Sequence, residues 1–197
     1  RLALDAPLST AHVLSDGRVL IHDPRLRNVV AWEPSTGKSG AALLGAGFDA
    51  VRFSDALGAA VFRHPSTPAG GAALTVARLH EEASGLRVRL QPIAVSRPVR
   101  ADALDETRGR LYFAPEGLPV LVRLDLETLS LEQLTLDAPI TALHYLPARD
   151  VLAAVHGSPA PEGDITLIPA SQLERGAAER VRLFVFADAL DHAEQRP

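Results

Sequence analysis

The sequence predicts an all-β fold assembled from four copies of a small antiparallel sheet, and three observations carry that expectation. First, the stretch ADALDETRGRLYF, Ala101 to Phe113, shares its plan with AHVLSDGRVLI from Ala11, AVRFSDALGAAVF from Ala50 and ALHYLPARDVLAAV from Ala142. Each copy opens on Ala, with a large apolar residue three positions on (Leu14, Phe53, Leu104, Tyr145), then a polar turn and a second apolar run. Second, the Ala-to-Ala spacings are 39, 51 and 41 residues (11 to 50, 50 to 101, 101 to 142). A period of about 40–50 residues built of several short strands is that of a propeller blade. Third, Gly58, Gly109 and Asp150 all stand eight residues after their Ala, while the first copy has a turn two residues shorter, with Gly17 at the sixth position. The expected blades cover about 6–47, 48–98, 99–139 and 140–190.

RLALDAP at the start matches LTLDAP at Leu134 to Pro139. Arg1 to Asp5 therefore reads as the outermost strand of a preceding blade, and the four blades as part of a larger ring of six to eight. A self-closed four-bladed ring is the alternative. The first blade is expected to place strands at His12–Ser15, Arg18–His22, Asn28–Glu33 and Ser39–Leu44, with Asp16-Gly17 as the first hairpin turn. In the second, strands are expected at Ala50–Ser54, Ala59–Arg63, Ala73–Leu79 and Leu86–Ile93, separated by expanded loops HPSTPAGG and HEEASG. In the third, Val120, Val122, Leu124 and Leu126 alternate with Leu121, Arg123 and Asp125, a period of two that turns one apolar face inward. RLDLETL there lines up with AWEPSTG of the first blade, so that Asp125 matches Glu33 and Thr128 matches Thr36 in a hairpin shaped by side-chain bonds to nearby backbone. The fourth blade is expected to run through Thr141–Leu146, Val151–His156, Asp164–Ile168 and Arg180–Phe186. SQLERGAAER is expected to form a helical turn before its last strand, Ser171 and Glu174 having capping-box spacing, and a polar tail follows Ala187.

Composition narrows the function. A net charge of −4 argues against a nucleic-acid partner. No apolar run reaches the roughly 18 residues of a membrane helix. With no cysteine there is no disulfide and no thiolate metal site. Lys38 is the only lysine against nineteen arginines, and Asn28 the only asparagine. That bias, with abundant Ala, Leu, Pro and Gly, suits a GC-rich bacterial genome, and the lack of cysteine leans toward the periplasm, outer surface or a secreted protein. No methionine occurs and Arg1 falls inside an expected strand, so the native start is expected to lie upstream.

The VVAWEPSTGK segment and the paired-strand repeats resemble those of the broad WD-repeat, YVTN and quinoprotein-like propeller group. The resemblance is architectural and spans nearly the whole chain. The Gly-His and Trp-Asp dipeptides of true WD repeats are absent, Trp32-Glu33 being an approximation in one blade. With Trp32 the sole tryptophan, the tryptophan docking motifs of pyrroloquinoline enzymes are excluded.

Two constellations are candidates for chemistry. His22, His64 and His156 fall at the ends of second strands, five, six and six residues after the hairpin Gly or Asp, where the third blade has Ala114-Pro115. Equivalent positions in successive blades lie on a ring at one face, and neutral imidazoles there suit zinc, copper or iron. The plainer reading is histidine where a strand meets a loop. The loops HGSPAPEGD and HPSTPAGG are candidate binding loops, with Arg63, His64, His156, Ser158, Glu162 and Asp164 as ligand-binding residues. Asp16, Asp55, Asp105 and Glu106 read as turn residues, paired on the surface with Arg18, Arg108, Arg110 and Arg149. His12 and His144 sit on innermost strands, positions that line a channel. No GxSxG, Walker, HExxH or GxGxxG motif occurs, and no cofactor follows from the residues. The expected function is a non-catalytic interaction scaffold with a protein or other ligand as partner. The alternative is a propeller enzyme, a lactonase-like hydrolase or metal-dependent oxidoreductase.

Overall fold

The structure, a computed structural model, describes residues 10–65, 72–82, 85–157, 164–171 and 181–184. Four antiparallel sheets of four strands follow one another, the strands of each lying side by side in sequence order. The first holds β1 (Thr10–Val13), β2 (Val19–Asp23), β3 (Asn28–Trp32) and β4 (Ser39–Leu43), and the second β5 (Ala50–Ser54), β6 (Ala59–Arg63), β7 (Ala72–Glu82) and β8 (Gly85–Ala94). The third holds β9 (Val99–Asp105), β10 (Arg110–Pro115), β11 (Val120–Asp125) and β12 (Leu131–Thr135). The fourth holds β13 (Ile140–Leu146), β14 (Val151–His156), β15 (Asp164–Pro169) and β16 (Val181–Phe184). The chain divides into two compact units, Arg1–Pro98 and Val99–Pro197, each with two of these blades. The expected strand at Arg1–Asp5, most of the helical turn and the polar tail lie outside the described residues.

The hairpins explain the repeat. Gly58, Gly109 and Asp150 all adopt left-handed backbone, with φ of 55°, 61° and 53°. That conformation turns the first strand into the second and disfavours a side chain. Asp150 tolerates it at the end of a 3₁₀ turn, Pro147–Arg149. The matched hairpins after β3 and β11 also share their bonds. Glu33 N–H donates to the Lys38 carbonyl at 2.9 Å and Asp125 N–H to that of Ser130 at 3.0 Å, while the Thr36 hydroxyl donates to Glu33 and that of Thr128 to Asp125.

In each unit the core is the seam between its two blades. Leu20, Val29 and Ala31 of the first blade meet Ala60, Phe62 and Val88 of the second, closed by Leu14 and Phe48. Ala103, Tyr112 and Leu121 of the third meet Leu143, Leu152 and Ile168 of the fourth. At Gly40 the backbone of β8 crosses so closely that a Cβ would overlap the Leu86 carbonyl.

Several expectations are corrected. HEEASG is not a loop up to Glu82: the β7–β8 ladder runs out to Glu82 opposite Gly85. Glu81 and Glu82 lie toward the rim of a long outer hairpin, held by Lys38 to Glu81 at 2.8 Å and Arg87 to Glu82 at 3.3 Å. β11 buries both faces, Leu121 as well as Leu124, as an interior strand covered above and below does. The first repeat is also out of step by one residue. Val13 pairs with Val19 as Leu104 pairs with Leu111, so Val13, not Leu14, takes the position of Leu104.

Candidate functional site

The ends of the second strands of blades two and four share one arrangement. His64 follows β6 and His156 closes β14; both are buried. Thr75 stands opposite Phe62 and Thr166 opposite Ala154, two residues before each histidine. This register brings a hydroxyl to each ring: His64 Nε2 lies 2.7 Å from Thr75 Oγ1, and His156 Nε2 lies 2.8 Å from Thr166 Oγ1. The other nitrogen reaches the connector that leads into the first strand of the same blade. His64 Nδ1 lies 2.7 Å from the Gly47 carbonyl and His156 Nδ1 3.1 Å from that of Pro139. A carbonyl only accepts, so Nδ1 carries the proton, and Nε2 of the neutral ring accepts from the threonine hydroxyl. Each histidine thus ties second strand, third strand and connector together. Blade three replaces the pair with Pro115 and Val122, which need no such bond.

His22 is not a third member of this set. It lies five rather than six residues beyond its hairpin glycine, and the alternation of a strand turns it to the opposite face. The equivalent position in blade one is Asp23, which accepts the Arg25 N–H at 2.8 Å. His22 instead faces blade two, its ring centroid 5.5, 5.8 and 5.9 Å from those of Phe48, Phe53 and Phe62. It is buried, neither ring nitrogen has a hydrogen-bond partner, and burial pushes its pKa down. Beside it His12 stacks on Phe53 at 3.9 Å, with Nε2 2.8 Å from Asp55 Oδ1. His144 is buried on β13.

Arg63 Nε donates to Asp49 at 2.9 Å. Asp164 pairs through its backbone with His156. Ser158, Glu162 and most of both candidate loops lie outside the described residues. Among the described residues no group of three or more His, Asp or Glu side chains is placed to hold a metal, and no helix is long and apolar enough to cross a membrane.

Sequence reasoning missed a network in the second unit. Asp105, fully buried, accepts from Arg108 at 2.9 Å, and the same guanidinium donates to Asp150 of the next blade at 2.9 Å. The Tyr145 hydroxyl donates to Asp150 at 3.1 Å, and its ring stacks on Tyr112 at 6.3 Å. Arg108 holds the Asp150 carboxyl below its usual pKa; burial, with Asp105 and Asp150 close by, pushes that of Tyr145 up to about 12. This is a seam between blades rather than the surface pair expected for Arg108. Its signal was the acid at the glycine position: Asp150 stands where two other copies have Gly.

No family model and no curated protein matches the sequence. Solved structures do match. Hsv2 of Kluyveromyces lactis aligns with a TM-score of 0.55 at 15% identity, over 94% of this chain and 60% of its own. Sqt1 of Saccharomyces cerevisiae gives 0.52 at 12%, over 87% and 47%, and a catalytically inactive virginiamycin B lyase of Staphylococcus aureus, with quinupristin, 0.53 at 13%, over 89% and 54%. The chain spans about half the length of these proteins. Such identities speak for the fold alone, and they agree with the four sheets: the chain is built as β-propeller blades, similar in architecture to the WD-repeat group.

Proposed function

We propose that this chain is part of a non-catalytic β-propeller scaffold that binds a protein partner through the loops after the second strands. The observation that carries the reading is the pair of histidine staples. At the candidate site the ring nitrogens of His64 and His156 are spent on scaffold bonds, and each staple anchors the end of the second strand from which the candidate binding segment, 65–71 or 157–163, departs. Rigid roots under loops are how propellers and other scaffolds present binding surfaces. The WD-type neighbours agree with such a role. The parent ring is proposed to be larger than four blades. Val13 and Leu43 on the outer face of blade one are 63% and 59% exposed, whereas Phe53 and Tyr145, at the position of Val13 in blades two and four, pack against a preceding blade. A bacterial envelope location is proposed on composition.

Cross-linking mass spectrometry on the full-length protein tests this. Partner cross-links should concentrate near the two loops and vanish when 66–71 and 158–163 are replaced by short Gly-Ser turns with folding intact. Cross-links that map elsewhere and survive the replacement overturn it. The lyase neighbour favours one rival, a propeller enzyme. Stoichiometric bound metal lost in His64→Ala or His156→Ala would support that rival instead.

A further inference from the structure

We infer that the seam between the first two blades is an acid-released latch, with His22 as its sensing group. Neither ring nitrogen of His22 is bonded, and three phenylalanine rings close around it, two of them, Phe48 and Phe62, at interplanar angles of 66° and 79°. A neutral imidazole fits this box through edge-to-face contacts. An imidazolium does not: it would need two acceptors, and neither nitrogen has one; an unpaired buried charge is among the costliest groups a core can hold.

The charged groups around it offer no rescue. From β1, His12 opposes a second positive charge. Asp55, in the hairpin between β5 and β6, is engaged by His12 at 2.8 Å. From its own strand, Asp23 favours protonation, but it is turned to the other face and held by Arg25. The connector, β5 and β6 present Phe48, Phe53 and Phe62. Burial outweighs Asp23, and the folded ring resists the proton.

The sign follows. With the folded pKa below the unfolded 6.5, the opened seam binds the proton more readily than the closed one. Closure is therefore strongest above about pH 6.5 and weakens about tenfold per pH unit below it, until the folded ring itself titrates. Among the described residues, the hairpin end of the second unit's seam is tied instead by Arg108.

Hydrogen exchange of the full-length protein, corrected for intrinsic rates, tests this at pH 7.5, 6.5 and 5.5. Peptides covering 19–23 and 48–62 should open about tenfold more per unit below pH 6.5, while those covering 110–115 stay flat. His22→Leu should flatten the first pair. Equal slopes in wild type and His22→Leu, or in the two units, would overturn the latch. Should His22→Leu not fold, proton NMR of the wild-type ring decides. Titration well below 6.5, accompanied by shifts of the Phe48 and Phe62 signals, supports the inference. Titration near 6.5 with those signals unmoved overturns it.

Discussion

The two units join their blades by different chemistry on the same frame. In the first, the seam is aromatic and imidazole: toward the end away from the leading hairpin His22 sits among three phenylalanines, and nearer that hairpin His12 lies on Phe53 and reaches one carboxylate, Asp55. In the second, the hairpin end is a guanidinium bridge from Asp105 through Arg108 to Asp150 and Tyr145. Blade packing itself asks only for apolar strands of the right register, so the hairpin end is free to vary. What varies is the response to protons. The first seam holds His22, a buried imidazole that resists the proton, whereas arginine stays charged and Asp150, its pKa lowered, gives way only in acid. The contribution of Asp150 is complete above about pH 3.8 and is lost as pH falls through its folded value.

The largest effects should come from breaking one seam and leaving the other. Gly40→Ala places a methyl group against the Leu86 backbone, with no flexible side chain to yield. Denaturant unfolding should show a loss of about 3 kcal/mol, with hydrogen exchange confining the damage to the first unit. In the second, Arg108→Met leaves Asp105 buried without its cation and should cost about 2–3 kcal/mol. Arg108→Lys, keeping the charge but not the fork, should recover part of this. If the two variants unfolded the same region, the seams would not be independent.

A milder break tests the staples. Thr75→Val removes the hydroxyl that His64 Nε2 accepts from and should cost about 1 kcal/mol, as should Thr166→Val for His156. Similar losses at both sites, read by denaturation, would show the staple to be one device used in both units. Alkali sharpens the contrast further. The Tyr145 pKa, pushed up to about 12, lies above the unfolded value near 10. Its contribution to the second seam is therefore full below about pH 10 and fades as pH rises through 12. Tyr145→Phe should remove that alkaline loss from the pH–stability profile.

Much of this frame is legible in the residues. Glycine or aspartate eight positions after an alanine marks the left-handed turn in three blades, because few other residues tolerate that backbone. The Glu33/Thr36 and Asp125/Thr128 hairpins are legible because their bonds are local. The site is less so. The first hairpin is one residue shorter than the others, and His22 falls five rather than six residues beyond Gly17; in a strand one residue is a change of face. That is why three histidines resemble a ring in sequence while His22 points away from the position held by His64 and His156. The threonines of the staples lie eleven and ten residues beyond their histidines, at a distance set by a loop of variable length, so no fixed spacing announces them. The Arg108 bridge reaches across 42 residues to Asp150, which only the packing of two blades brings within reach.

The smallest expected effect separates turn geometry from seam chemistry. Leu129 adopts φ 61° after Thr128, where the matching hairpin of the first unit has Gly37 at φ 73°. The left-handed region costs a residue with a side chain roughly 1–2 kcal/mol relative to glycine. Leu129 is half-buried, so its removal gives back part of that gain. Leu129→Gly should therefore stabilise the second unit by about 0.5 kcal/mol. Asp150 has the same backbone, φ 53°, yet Asp150→Gly should destabilise. The relief of strain there is outweighed by loss of the carboxylate that takes both the Arg108 guanidinium and the Tyr145 hydroxyl. Opposite signs for these two glycine substitutions, measured side by side in urea, would show that Leu129 marks a turn alone and Asp150 a turn that also closes the seam. Equal stabilisation by both would mean that the Arg108 bridge contributes nothing, and the contrast between the two seams would fall with it.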